Sequence, residues 1–358
     1  MEYPNRIKDQ KVSMKKGFVS VVMAVHNEQP SYLQQSFASI FRQTYPEMEL
    51  IVVDDASDDK CQEVIRDLCK NKDNVKVVRN ETNQGLTKSL NRGIELAEGE
   101  FIARMDADDV SMIDRIEKQV GYLHSHPDID FVGTGVVSFG TENIFMSPAF
   151  GFNNDDAQCN LFFSSTLCHP SVLMRKVFLD RHNLRYDENI KKGQDYDLWE
   201  RASVYGKIAV MSDVLLFYRI HDSQITNKNR ADQDSSADKV RKRRLSRIGI
   251  EVSDREFKCH HLLACGVDKT IGVREVDTWV KKIIEHNVRY HLVDEKSLIN
   301  NLRLRLSLYK LRNHTGVLSF GPSDIIIMFK VFVHRLKMHA KLKQTNKLFQ
   351  KYYVENEK

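Results

Sequence analysis

The chain has 358 residues, 41% of them hydrophobic and 29% charged, enough apolar material for a large core plus a smaller one and too much for intrinsic disorder. Its six cysteines, Cys61, Cys69, Cys159, Cys168, Cys259 and Cys265, follow no metal-ligand or disulfide-framework spacing, so they read as small buried thiols of a reducing compartment. The net charge of +5 hides a split: residues 1–239 carry 29 basic and 37 acidic side chains and residues 240–358 carry 25 and 12, so the second part is expected to seek an anionic surface.

Residues 1–6 lack the apolar centre of a secretory signal, and no later stretch reaches membrane-spanning length, so a cytoplasmic protein is expected. A Val-rich apolar run at residues 18–25 and shorter ones at 50–53, 75–78 and 101–105 have the length of buried strands. Between them lie segments with helical spacing: Leu33, Phe37, Ile40 and Phe41; Val64, Ile65 and Leu68; Leu86, Leu90, Ile94 and Ala97. Strand and helix alternating in this way predict an α/β fold with a mostly parallel central sheet and helices on both faces, binding ligands beyond the carboxyl ends of its strands.

Farther on, Ile113, Ile116, Val120 and Leu123 predict a helix, and residues 131–139 a strand. Residues 140–160 read as loops and short irregular elements, a place for a mobile loop over the site. Regular signals resume at 171–174, in a helix over 195–204 and in two strands at 208–211 and 215–218. The polar stretch 226–238 has no apolar period and reads as a linker. The expected division is therefore a catalytic domain at 17–226, a linker at 227–239 and a basic, mainly helical region at 240–358. Within that region helical spacing appears at Val276, Trp279, Val280 and Ile283, at Leu298, Leu302, Tyr309 and Leu311, and across 325–336.

The strand ends carry the chemistry. His26, Asn27 and Glu28 follow the first run, Asp54 and Asp55 the second, Asn80 and Asn83 the third, and Asp106, Asp108 and Asp109 the fourth. Three acids in four residues repel one another unless solvent, a metal or basic groups compensate them. No glycine-rich dinucleotide or phosphate loop is present. A diphosphate ligand would thus need a metal to neutralise it, and oxygen ligands suit Mg²⁺ or Mn²⁺.

In order, the chain reads Val19-Ser20-Val21-Val22-Met23 with His26-Asn27-Glu28, then Val52-Val53-Asp54-Asp55-Ala56-Ser57-Asp58, then Asn83-Gln84-Gly85-Leu86 with Leu90-Asn91-Arg92-Gly93-Ile94, then Arg104-Met105-Asp106-Ala107-Asp108-Asp109. His169-Pro170-Ser171, Gln194-Asp195-Tyr196-Asp197-Leu198-Trp199 and Tyr218-Arg219-Ile220-His221 follow. Over roughly residues 17–226 this ordered set resembles the family 2 glycosyltransferases of the GT-A fold, closest to the bacterial members that build O-antigen, capsule and other surface polysaccharides.

The resemblance implies a role for each matching residue. Asp55 corresponds to the acid that hydrogen-bonds the nucleotide base, usually uracil; as a sequence feature alone it is equally a turn residue. Asp106 approaches the ribose or the metal, Asp108 ligates the metal, and Asp109 supports them. Asp195 matches the general base of an inverting transfer, although Gln194 stands where the family usually has Glu. His221 ligates the metal or contacts the diphosphate, or is a packed residue. Arg104 contacts the diphosphate or pairs with the acidic loop. His26 and Glu28 touch the nucleotide or shape the loop, and His169, Gln194 and Trp199 lie on the acceptor side.

The resemblance further implies a UDP-linked hexose or N-acetylhexosamine as donor, a saccharide acceptor carried on polyprenyl diphosphate, and a Mn²⁺ or Mg²⁺ cofactor. Between Lys296 and Tyr353 twelve Lys or Arg face the single acid Asp324, around an apolar stretch from Ile325 to Val333. This pattern predicts an interfacial helix on the anionic inner face of the cell membrane, or else a helix packed on the catalytic domain. Nucleic acid is not an expected partner, since no binding motif accompanies the charge. The reading from another class is a non-catalytic membrane- or nucleic-acid-associated protein with a degenerate sugar-nucleotide pocket.

Overall fold

The structure, a computed structural model, describes residues 14–140, 146–147, 151–190, 192–221, 230–264, 266, 268 and 270–312. The first four expected strands are β1 (Lys15–Val25), β2 (Met48–Asp54), β3 (Val75–Arg79) and β4 (Gly99–Arg104). They pair in parallel in the order β3-β2-β1-β4. Each crossover carries a helix: α1 (Pro30–Phe41), α2 (Asp59–Cys69) and α3 (Leu86–Leu96). Alternate residues of β1 enter opposite cores. Val21 and Met23 meet Leu33 and Phe37 of α1, while Val22 meets Leu90 and Ile94 of α3. A strand buried on both faces needs a near-continuous apolar run, which residues 18–25 supply with Ser20 as the single polar member before the strand ends. Gly93 lets α3 lie flat on the sheet, because a Cβ there would come within 2.4 Å of Val22 Cγ1.

The second half of the sheet is mixed. β8 (Leu173–Arg175) runs antiparallel to β4, and β6 (Ile129–Phe139) antiparallel to β8. β9 (Lys207–Arg219) follows parallel to β6, and β5 (Val110–Ser111) closes the edge antiparallel to β9. A short β7 (Met146–Ser147) pairs with β6 off this path. The two strands expected at 208–211 and 215–218 are one strand. The register against β6 shifts between Gly133–Val210 and Gly135–Val214, so the polar interruption at Ser212 and Asp213 is a bulge.

The remaining helices of the sheet region are α4 (Arg115–Ser125), α5 (Asn154–Asn160), α6 (Lys176–Arg181) and α7 (Gln194–Ala202). In the span expected to be irregular, α5 forms because Asn153 caps it, its side chain accepting the Asp156 N–H at 2.9 Å. The rest of that span, where a mobile loop was expected, lies partly outside the described residues.

The stretch expected as a linker is helical from Arg230 onward, within α8 (Arg230–Ser246). α9 (Asp254–Ala264), α10 (Val273–Tyr290) and α11 (Glu295–Arg312) follow. These helices share a core of Leu245, Ile248, Leu262, Val276, Trp279, Ile283, Leu298 and Leu302, into which Phe162 and Phe163 from the sheet region insert. The apolar stretch expected at 325–336 lies outside the described residues. Among those described, no helix is long and apolar enough to cross a membrane.

Candidate active site

The parallel register sets Val25 opposite Asp54 and Asp54 opposite Arg79, so β1, β2 and β3 end together. Asp55, 3% exposed, lies just beyond β2. Its Oδ1 accepts Asn80 Nδ2 at 2.7 Å and the Gln84 N–H at 2.8 Å, and its Oδ2 accepts the Gly85 N–H at 2.7 Å. Burial acts to raise its pKa, but hydrogen bonds from Asn80, Gln84, Gly85 and Ser89 outweigh it and hold the carboxyl below the usual range. Asp55 is thus the post around which the 80–85 loop folds, the turn role weighed in the sequence. Gly85 closes that loop at φ +87°, a conformation that excludes most other residues. His26 ties the β1 end to the same loop, donating Nδ1–H to Asp55 O at 2.8 Å and accepting Asn83 Nδ2 at 2.9 Å on Nε2.

Beyond β4, one oxygen each of Asp106, Asp108 and Asp109 lies within 4.8 Å of the others. Asp109 is fully buried; its Oδ1 accepts the Arg219 N–H at 2.8 Å and its Oδ2 has no hydrogen-bond partner among the described residues. Burial first, then Asp108 and Asp106, push its pKa well up. Asp108 is raised by burial and by Asp106, against the hydrogen bond that His221 Nε2 donates to its Oδ2 at 3.0 Å. Glu28 is raised by burial, with Asp108 and Asp106 adding to it against the Gln29 N–H. Crowded carboxyls with upward shifts and an unpartnered buried oxygen form a site short of positive charge, and their oxygen donors beside one imidazole fit a hard divalent cation.

Arg104, expected to contact a diphosphate or to pair with the acidic loop, forms an ion pair with Asp106. It is 2% exposed, and its Nε has no hydrogen-bond partner among the described residues. Fully buried Arg115 donates to Pro170 O at 2.7 Å and to Arg104 O at 3.1 Å, bracing the turn from below. Burial pushes its pKa down to about 10. Arg219 completes the frame, donating Nε–H to Asp108 O and Nη2–H to Gln35 Oε1, both at 2.6 Å, with its guanidinium over the rings of Tyr32 and Phe139.

Asp195 stands in the first turn of α7, where a carboxylate suits the helix dipole. Its Oδ2 accepts the Ser165 hydroxyl at 3.1 Å. Burial raises its pKa, and the Tyr196 N–H, the Ser165 hydroxyl, its own N–H and Arg104 only partly offset that. Gln194 beside it is 7% exposed. His169 Nε2 lies 2.7 Å from Tyr186 Oη, and burial first, then Arg104, push its pKa well down, so the ring is neutral. Arg104 therefore acts on the acidic turn and on the Asp195–His169 side together.

Trp199 is a correction. It is 0% exposed and packs edge-on to Phe131 and His169 in the core, so it backs His169 instead of facing an acceptor. The residues that sequence reasoning left without a role are Arg115, Ser165, Tyr186 and Arg219. Only Arg219 lay inside a quoted motif; Ser165 and Tyr186 fall in segments with no apolar period.

The family model described as glycosyl transferase family 2 matches residues 20–184. An uncharacterised glycosyltransferase of Haemophilus influenzae is 29% identical over 303 residues, covering 76% of this chain and 91% of its own. The O-antigen biosynthesis glycosyltransferase WbnJ of Escherichia coli is 33% identical over 211 residues, covering 57% and 80%. Among solved structures, S. aureus TarS 1–349 in complex with UDP-GlcNAc superposes with a TM-score of 0.54 at 18% identity, over 84% of this chain and 93% of that one, and so shares the fold.

Proposed function

The chain belongs to glycosyl transferase family 2, and from that premise we propose an inverting, divalent-metal-dependent transfer of a hexose or N-acetylhexosamine from a UDP-sugar to a lipid-linked saccharide in surface polysaccharide assembly. The observation that carries the reading is the pairing of two sites across Arg104: a cluster of acids short of positive charge and a half-buried carboxylate, Asp195, with a raised pKa. The UDP-GlcNAc bound to TarS supports the donor class, and the O-antigen role named for WbnJ supports surface polysaccharide assembly.

In this reading the nucleotide lies along the β1–β3 ends, against the loop that Asp55 holds, with His26 and Glu28 at its margin. Asp106, Asp108, Asp109 and His221 would hold Mg²⁺ or Mn²⁺, which when bound supplies positive charge for a departing diphosphate. Asp195 takes the proton of the acceptor hydroxyl as that oxygen bonds to the anomeric carbon, and the bond from that carbon to the diphosphate oxygen breaks on the opposite face. An upward-shifted carboxyl is a stronger base once ionised, which suits the role. The neutral His169, fixed by Tyr186, lies on the acceptor side with Gln194. The basic second half brings the site to an anionic membrane surface where a lipid-linked acceptor resides.

Asp195→Asn keeps the shape of the side chain and removes the base. In a UDP-sugar transfer and hydrolysis assay with Mn²⁺, we expect turnover to fall by about 10²–10⁴-fold with UDP binding retained. Turnover near that of the unchanged protein would sink the reading, and no turnover in either would favour a binding module.

A further inference from the structure

Asp195 is positioned by a residue that nothing in its own helix supplies. The Ser165 hydroxyl lies 3.1 Å from Asp195 Oδ2 and 3.1 Å from Leu167 O. It sits on the connection between α5 and the turn at His169, and the carbonyls leading to it are held one after another. Tyr196 Oη donates to Leu161 O at 2.7 Å, His260 Nε2 to Phe162 O at 2.7 Å, and Arg241 Nε to Phe163 O at 2.8 Å. Thr166 Oγ1 donates back to Ala157 O at 3.1 Å, and the guanidinium of Arg305 covers the Phe163 ring at 4.1 Å. Two of these anchors, Arg241 and His260, belong to α8 and α9. A segment held at three successive carbonyls, Leu161 to Phe163, presents the hydroxyl at one place, and that place is the side of the carboxylate.

We propose that Ser165 is a positioning residue for Asp195, orienting the carboxylate and favouring its ionised form, with the C-terminal helices setting where the hydroxyl stands. The inference rests on the reading of Asp195 as the base. A hydroxyl that donates to a carboxylate stabilises the charged form, so its loss raises the pKa of that carboxyl. The other charged or titratable groups acting on Asp195 are Arg104 from β4, which favours the charge, and the Cys168 thiol and Tyr186 phenol, both kept protonated by burial. None of these is altered by changing Ser165.

The test compares Ser165→Ala and Ser165→Thr with the unchanged full-length protein and with Asp195→Asn. Steady-state transfer is measured from pH 5 to 9, with thermal midpoints confirming that each folds. For Ser165→Ala we expect kcat about 10-fold lower, KM for the nucleotide sugar within about twofold, and the acidic limb of the kcat profile moved up by about one pH unit. Ser165→Thr keeps the hydroxyl and is expected to restore both kcat and the limb. An unmoved limb in Ser165→Ala, whether or not kcat falls, overturns the proposal while a dead Asp195→Asn leaves the base assignment standing. An active Asp195→Asn overturns the base assignment itself.

Discussion

His260 donates Nε2–H to the Phe162 carbonyl, is 0% exposed and stacks against Phe163, which leaves its Nδ1 unprotonated and without a partner among the described residues. Burial pushes its pKa from 6.5 down to about 3. Unfolded, the ring takes up a proton near its ordinary value, while folded it stays neutral until far lower pH. Its contribution to stability is therefore complete above 6.5 and is lost as pH falls toward about 3. His260→Gln can keep a donor for Phe162 O without titrating. Denaturant midpoints across that window should fall more steeply for the unchanged protein, by up to about 1.4 kcal/mol per pH unit, and equal slopes would remove His260 from the acid response. Asp55 works in the same direction from the other side: its carboxyl lies below the usual range, so what it adds is present above its unfolded pKa and fades as pH falls through the folded one.

At the scale of elements, α7 and α8 meet through charge. Glu200 is fully buried and pairs with Arg243 and Arg247 of the α8 end, and Asp197, 1% exposed, pairs with Arg201 and Arg243. Burial opposes the Glu200 charge, but Arg247 and Arg243 outweigh it and hold the carboxyl below the usual range. Removing one partner of a buried pair commonly costs 3–5 kcal/mol. Arg243 and Arg247 retain 36% and 29% exposure, so water can take over part of their solvation. We expect Glu200→Gln to cost about 2 kcal/mol, read as a lower urea midpoint with unchanged m, and a change within about 0.5 kcal/mol would show the clamp to be idle. The same chemistry explains why α8 was invisible in the sequence. Its first turns are polar and its later turns bury only Val240 and Leu245 among arginines, so no apolar period marks it.

At the scale of the whole molecule, the acidic front contains the strand ends and the basic back contains the helices that grip Phe162 and Phe163. The proposed membrane surface depends on charge beyond the described helices as well as within them. Flotation with vesicles containing anionic lipid should recover the full chain in the lipid fraction and leave a chain ending at Ser319 behind. Equal recovery of both would end the proposal for that segment, and rising salt should weaken binding of the full chain.

The α/β order of the first half was legible in the sequence, because strands buried on both faces need near-continuous apolar runs and each run ends where polar residues begin. The same rule located Asp55, Asp106, Asp108 and Asp109 at strand ends, and the order of the motifs gave the family. Only the tertiary structure decided that Asp55 is bound to the 80–85 loop, that Arg104 touches Asp106, that Trp199 lies inside, and that Ser165 touches Asp195. Local pattern records which face of an element is buried. It carries no record of which distant side chains meet there, and hydrogen bonds between residues such as Asp109 and Arg219, 110 positions apart, are set by topology alone.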